Sequence, residues 1–129
     1  MLWCRGMTLR IVGDRKIPMK KNLMRLRGSQ VYKPKQVKDF ETWLAWLSAA
    51  AMNEQGWSKT DKPVKLSLDV VFGDRRTRDL QNCFACICDS LNNLVYEDDK
   101  QIEVLVASKK YVKGEWSFIL QIELIDEAT

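Results

Sequence analysis

VKLSLDVVFGDRRTRDLQNCFACICDSL, residues 64–91, is the stretch that decides the fold of this chain. Apolar and polar side chains alternate from Val64 to Phe72, which predicts a half-buried β-strand. Gly73 and the basic run after it end the strand. Apolar residues then recur from Leu80 to Leu91 at three- and four-residue spacing, so we expect a helix with Asp79 as its N-cap. A strand, a charged loop and a helix therefore follow one another at the centre of the chain.

The sequence on either side of this stretch predicts the remaining elements. Residues 16–35 have little periodicity and are expected to form a surface loop, whereas the turn at 112–115 is expected to close a hairpin. The order β-α-β-α-β-β favours an α+β fold, a mixed β-sheet packed with two main helices. The other predicted elements are strands at 8–13, 102–111 and 116–125 and a helix from Val37 that ends before Gly56.

Length and composition are those of an ordinary globular chain. With 129 residues, of which 46% are hydrophobic and 29% charged, the chain is long enough for one core. We expect a single domain over residues 1–129, with 1–7 as a loose N-terminal tail and Met7 as an alternative start. No apolar run reaches the ~20 residues of a membrane span, and no secretion signal begins the sequence, so we expect a cytoplasmic protein.

Charge is distributed unevenly along the chain. Residues 1–36 carry ten Lys/Arg and one acid, which gives +9, whereas the remaining residues sum to −5. This distribution favours a protein that attracts a polyanion and holds cations at carboxylates. A solvated loop is the alternative for the basic segment, but we favour contact with DNA phosphates. The residues expected to make that contact are Lys20, Lys21, Asn22, Arg25 and Arg27.

Three cysteines crowd into the second predicted helix: Cys83, Cys86 and Cys88. Cys83 and Cys86 have the Cys-x-x-Cys spacing of zinc and redox sites. The sequence contains no histidine, so a zinc site would require all three together with the distant Cys4. Packing in the core is the favoured interpretation.

Trp43 and Trp46 widen the apolar face of the first predicted helix. They could stack on unpaired bases of a nucleic acid. Helix packing and a buried contact between two copies of the chain are the alternatives.

Carboxylates flank the second predicted helix. If the loop after the helix folds back, Asp98 and Asp99 come near Asp79, and such a cluster is what Mg²⁺ requires. Capping and solvation are the ordinary roles of acids at these positions. Neighbouring arginines would hold a DNA backbone bidentately.

The same segment carries a dense set of motif residues. An arginine-rich run leads into Asp79, the helix ends on Asp-x-Leu-Asn, and an Asp-Asp-x-Gln-Ile motif begins the next strand. Upstream, Pro18 is followed by Lys20-Lys21-Asn22. Over about residues 8–125 the chain resembles the RusA family of phage and prophage Holliday-junction resolvases. The densest matches are Arg75, Arg76, Arg78, Asp79, Asn82, Asp89, Leu91, Asn92, Asp98, Asp99, Gln101 and Ile102.

The resemblance implies a homodimer that binds four-way DNA junctions in recombination and repair. It therefore favours a buried contact between two copies as the role of Trp43 and Trp46. It implies Mg²⁺-dependent hydrolysis of the phosphodiester, with Asp79 and Asp99 as metal ligands and Asp98 as a nearby helper. It also places Arg75, Arg76 and Arg78, with the basic loop, against the DNA backbone.

Two positions depart from the family pattern. Gln81 replaces an acid that binds metal, and Ala85 replaces a lysine that assists the reaction. A neutral carbonyl oxygen holds a divalent cation less well than a carboxylate does, which makes Gln81 a weakened metal ligand. One interpretation is a resolvase that tolerates the altered site, and another is a junction-binding protein that has lost hydrolysis. A phage assembly protein that reuses the fold is a third.

Overall fold

A computed structural model describes residues 8–18, 25–27, 30–32, 34–76 and 80–125. Two helices and a four-stranded mixed sheet make an α+β fold, and the predicted order β-α-β-α-β-β is confirmed for the main elements. The elements are β1 (Thr8–Gly13), β2 (Arg25–Arg27), β3 (Gln30–Tyr32), α1 (Lys35–Gln55), β4 (Val64–Phe72), α2 (Leu80–Leu91), β5 (Ile102–Tyr111) and β6 (Ser117–Leu124).

Two sequence-based expectations were wrong. Residues 16–35 were expected to be a loop, but they contain β2 and β3, which pair antiparallel. The turn after β5 was expected to close a hairpin, but the sheet order is β1-β6-β4-β5, so β4 lies between β5 and β6. The chain crosses the end of β4 instead, where the Val112 N–H donates to the Phe72 carbonyl and the Gly114 N–H donates to the Gly73 carbonyl.

The core lies on one side of this sheet. Alternate residues of β1, β4 and β6 are buried, as the period of two along a strand requires. Leu66, Leu68 and Phe118 belong to one cluster with Leu44 of α1 and Ile87 of α2. Neither helix in the described part of the chain is long and apolar enough to cross a membrane.

The two tryptophans of α1 have different environments. Trp43 is half-buried against Phe40 and Phe118, with ring centroids 5.5 Å and 6.0 Å away. Trp46 is 76% exposed. Packing therefore accounts for Trp43, and Trp46 is a single large apolar side chain in solvent. The helix ends at Gly56, whose φ of 73° is the left-handed conformation that favours glycine.

The unit β4–α2–β5 positions the candidate site. β4 and β5 are parallel neighbours, so α2 runs back along the sheet in the opposite direction. One end of this unit holds the exits of β4 and β5 and the start of α2. The opposite end holds the end of α2 and the entries to both strands. We call the first the basic end (residues 14–16, 73–76 and 109–116) and the second the acidic end (residues 57–63 and 95–103).

Candidate functional site

Asp98 and Asp99 form a carboxylate pair at the acidic end. They lie at the start of a single 3-10 turn, Asp99–Gln101, that leads directly into β5. The Asp98 carboxylate accepts a hydrogen bond from the Lys100 N–H, and the Gln101 side chain accepts one from the Asp98 N–H. This reciprocal capping box fixes the backbone at both acids.

Gln101 anchors the segment that carries the pair. Its side-chain oxygen accepts from the N–H groups of Glu97 and Asp98 at 2.8 Å and 2.9 Å. Its side-chain nitrogen donates to the carbonyls of Thr60 and Lys62, both at 2.9 Å. One amide thus joins the loop after α2 to the segment before β4. Sequence reasoning noted Gln101 only as a motif residue, because its four partners depend on the tertiary structure.

The two carboxylates influence each other strongly. A hydrogen bond between the two side chains raises the pKa of Asp99 above its ordinary value, and the charge of Asp98 raises it further. The same hydrogen bond, together with the Lys100 N–H, lowers the pKa of Asp98. Two carboxyl groups this close are a favourable environment for a hard divalent cation, which prefers carboxylate oxygens.

The three cysteines of α2 pack in the core. Cys83, Cys86 and Cys88 are buried thiols, which confirms the core interpretation of Cys83. Burial raises the pKa of Cys88 to about 12, and the thiol lies beside the buried hydroxyl of Tyr96. No group of three or more Cys, Asp and Glu side chains that could hold a metal occurs among the described residues.

The altered stripe of α2 faces solvent. Gln81, Ala85 and Asp89 are all exposed, four residues apart, on the side of the helix away from the core. Gln81 lies in the first turn, and the ten residues from it to Leu91 span about 15 Å along the axis. Asp99 lies at that far end, where its charge acts on Cys88 of the last turn.

The loop after α2 does not fold back to the start of the helix. The Val95 N–H donates to the Leu91 carbonyl, and the Val95 carbonyl accepts from the Trp57 indole, so this loop stays at the acidic end. Within one chain, Gln81 therefore does not meet the carboxylate pair. Asp79, the other predicted metal ligand, lies outside the described residues.

Cations concentrate at the basic end. Its residues include seven Lys/Arg and three acids. The Arg75 guanidinium lies 4.2 Å from the centre of the Tyr111 ring, and the Lys16 ammonium lies 4.7 Å from that of Trp116. Arg15 lies 4.4 Å from the Trp43 ring. Stacking on aromatic faces holds these flexible side chains in place.

The predicted DNA contacts are only partly described. Arg75 and Arg76 follow β4 and are exposed at the basic end. Arg25 and Arg27 lie on β2, where only the backbone is described. Lys20, Lys21, Asn22 and Arg78 lie outside the described residues. Sequence reasoning did not identify five further cations at this end, because they become neighbours only through the sheet order: Arg15, Lys16, Lys109, Lys110 and Lys113.

Comparison with known proteins identifies the family. The family model for endodeoxyribonuclease RusA matches residues 15–122, which include β2 to β5, both helices and most of β6. No curated protein matches the chain. RusA nucleases are Holliday-junction resolvases and are generally metal-dependent. The family match covers most of the chain and agrees with the α+β fold, and the chain therefore belongs to the RusA endodeoxyribonuclease family.

Proposed function

We propose that this chain is a resolvase that acts in the cytoplasm as a homodimer, binds four-way DNA junctions and nicks them by Mg²⁺-dependent hydrolysis. The observation that carries the proposal, beside the family, is the cluster of cations at the basic end. Seven Lys/Arg side chains lie where β1, β4 and β5 end, next to the start of α2. A surface of this kind binds the phosphates of a nucleic acid and needs no particular base sequence.

Stacking prepares the arginine of this surface for phosphate. The Arg75 side chain is held over Tyr111, so it loses less conformational freedom when a phosphate binds. Its planar guanidinium can donate two parallel hydrogen bonds to phosphate oxygens. We propose that Arg76 and Arg78, with Lys20, Lys21, Asn22, Arg25 and Arg27, extend the contact along the DNA.

Asp98 and Asp99 fit a divalent cation. The hydrogen bond between their side chains raises the pKa of Asp99, and a cation between them would offset the repulsion between the two charges. A bound Mg²⁺ would activate water and stabilise charge on the scissile phosphate. We propose Asp79 and Asp99 as ligands, with Asp98 as helper and Gln81 as a weakened ligand. Because the start of α2 lies at the other end of the same chain, Asp79 and Gln81 would have to come from the second copy of the homodimer. The hydrogen bonds of Gln101 keep the pair in position for this role.

The stripe on α2 predicts weak catalysis. Removing one preorganised group from a site of this kind typically costs about 2.7–4 kcal/mol of transition-state stabilisation. Gln81 and Ala85 represent two such changes on one exposed face. We expect slow nicking by the native chain and faster nicking when both charges are restored. Three cations could compensate in part: Lys100, Lys21 and Arg78.

The test uses a labelled four-way junction, with and without Mg²⁺, scored for gel shift and for nicks. The native chain is compared with the double variant Gln81→Asp, Ala85→Lys. The matched control is Asn53→Asp, Ala49→Lys, which makes the same charge changes four residues apart on the exposed face of α1. We expect all three proteins to bind the junction, and only the first variant to gain nicking.

Each outcome selects one function. Paired Mg²⁺-dependent nicks from the native chain support a working resolvase. Tight binding with nicks only from the restored variant identifies a junction-binding protein that has lost hydrolysis. Failure to bind any DNA at low salt overturns the proposal and favours an assembly or interaction protein.

A further inference from the structure

The two edges of the sheet are protected to different extents. At the β1 edge, the side chain of Gln55 makes two hydrogen bonds with the backbone of Arg10. Its oxygen accepts from the Arg10 N–H, and its nitrogen donates to the Arg10 carbonyl. Alternate residues of β1 are also buried. At the opposite edge, every residue of β5 from Glu103 to Tyr111 is exposed. A strand that is ten residues long and open in this way is a template for pairing with another chain.

β5 is open on both faces as well as along its edge. Val104, Leu105 and Val106 are 42%, 46% and 48% exposed. Because successive side chains of a strand point to opposite faces, three consecutive aliphatic residues place apolar surface on both sides of the sheet. Contiguous apolar surface at an unpaired edge usually marks an interface.

We propose that β5 pairs antiparallel with β5 of a second copy of this chain, about a two-fold axis at Val106, to give one continuous eight-stranded sheet. A two-fold axis perpendicular to the sheet does not exchange its two faces, so the same face of both copies points in the same direction. Directly opposed residues must share a face, so the axis has to pass through a residue and not between two.

Charge selects Val106 as that residue. Centring the pair there places Glu103 of each copy opposite Lys109 of the other, and Leu105 opposite Ala107. Centring it on Ala107 would place Leu105 opposite a lysine. Centring it on Leu105 would leave Glu103 opposite Ala107. Only the Val106 register pairs opposite charges twice and keeps aliphatic side chains opposite small ones.

The charge at the two ends of the unit supports the same arrangement. Antiparallel pairing places the entry to β5 of one copy beside the exit from β5 of the other. Asp98 and Asp99 of each copy then lie towards the Lys110 and Lys113 region of its neighbour, so acidic and basic ends alternate across the dimer. A parallel arrangement would place like charges side by side.

This inference rests on the homodimer of the proposed function and adds the surface and the register. The tryptophan face of α1 was the earlier expectation for the dimer contact. Trp43 is already packed within the chain, which leaves Trp46 as one exposed apolar side chain, and single exposed side chains are ordinary.

The register is tested by a disulfide across the axis. In an antiparallel pair, directly opposed Cα atoms are about 4.5–5.5 Å apart, which is within the range of a disulfide. Val106→Cys should give a dimer band on mild oxidation that disappears on reduction. The two Val104→Cys positions would be about 13 Å apart and should not link. Trp46→Cys and the native chain, with its own cysteines, serve as further controls.

The interface is tested by charge exchange, with the dimer dissociation constant measured by sedimentation. Glu103→Lys and Lys109→Glu should each weaken the dimer by about tenfold, because each brings like charges together twice. The double variant should return to within a few-fold of the native chain. A native chain that is monomeric at all concentrations overturns this inference and the homodimer together. A stable dimer without the Val106 link, or one that links through Trp46→Cys, overturns only the β5 interface.

Discussion

The two ends of the β4–α2–β5 unit are built from different interactions. At the acidic end, the side chains of Gln101 and Trp57 donate to backbone carbonyls, and a capping box fixes the turn at Asp98. At the basic end, the charged side chains are held by aromatic rings, as Arg75 is by Tyr111. Directional hydrogen bonds restrict a group more than stacking does, because a cation held over a ring can still turn about the ring face.

This difference agrees with what each end would contact. Ligands of Mg²⁺ lie at 2.0–2.1 Å in a narrow geometry, so carboxylates that bind it need a rigid backbone. DNA phosphates form a broad, repeating anionic surface that tolerates small shifts of a lysine or arginine. The acidic end therefore has the rigid backbone that the proposed metal site requires, and the basic end suits the proposed contact with the DNA backbone.

The largest effect is expected from Gln101→Ala. The substitution removes four hydrogen bonds, two of them to the N–H groups of Glu97 and Asp98. At a net contribution near 1 kcal/mol each, we expect the free energy of unfolding to fall by about 4 kcal/mol. Urea denaturation measures this loss as a lower urea concentration at the midpoint, with an unchanged slope of unfolding free energy against urea concentration.

Two other glutamines calibrate this prediction. Gln55→Ala removes two hydrogen bonds to Arg10 and should cost about half as much. Gln36→Ala changes an exposed side chain in the first turn of α1 and should stay within about 0.5 kcal/mol. If Gln101→Ala behaved like Gln36→Ala, the acidic end would not be the rigid end.

DNA affinity should respond at the basic end only. Arg76→Ala should weaken junction binding several-fold and lower the slope of log affinity against log salt by about 0.9, the loss of one phosphate contact on B-form arms. Lys62→Ala removes one cation from the acidic end and should leave the slope unchanged. Fluorescence anisotropy at a series of salt concentrations measures both. Equal slopes for the two variants would contradict a single basic DNA surface.

The neighbours Asp98 and Asp99 should affect stability in opposite directions. The pKa of Asp99 is raised in the folded chain, so its ionisation lowers stability as pH rises through the carboxyl range. Asp99→Asn should therefore raise the melting temperature at pH 7, and this gain should vanish at about pH 3.

The pKa of Asp98 is lowered in the folded chain. Its ionised form therefore contributes to stability above the carboxyl range, and this contribution is lost as pH falls. Asp98→Asn should lower the melting temperature at pH 7. Thermal melts at both pH values measure the pair, and two changes of the same sign would contradict the hydrogen bond between the two side chains.

Strand and helix boundaries could be predicted where apolar residues recur along the sequence with a clear period. β4 has the predicted bounds, 64–72, and α2 covers the predicted apolar pattern, because alternation and helical spacing are local properties. β2 and β3 were missed, since three residues each are too few for a period to show.

Pairing and site assembly could not be predicted in the same way. A turn shows that the chain reverses but not which strand it joins, and β6 inserts beside β4 because Phe118, Leu120 and Ile122 bury against the core there. Asp98 and Asp99 were identified as candidate site residues from their motif, and their role stays a prediction. Their placement at the end of α2 opposite Gln81 follows from the parallel β4–α2–β5 connection, which is a property of the whole sheet.

The smallest effect is expected from Tyr96→Phe, which tests whether every polar group at the acidic end supports the structure. Tyr96 is fully buried, and its hydroxyl lies beside the thiol of Cys88, a weak hydrogen-bond partner. The hydroxyl therefore loses water without gaining a strong bond, so its removal should change the free energy of unfolding by less than about 1 kcal/mol. Leu68→Ala, a substitution in the same core, should cost about 2–5 kcal/mol and calibrates the measurement. A loss above about 2 kcal/mol for Tyr96→Phe would mean that the contact between the hydroxyl and the thiol holds the end of α2 against the carboxylate pair. The rigidity of the acidic end would then extend beyond Gln101 into the core.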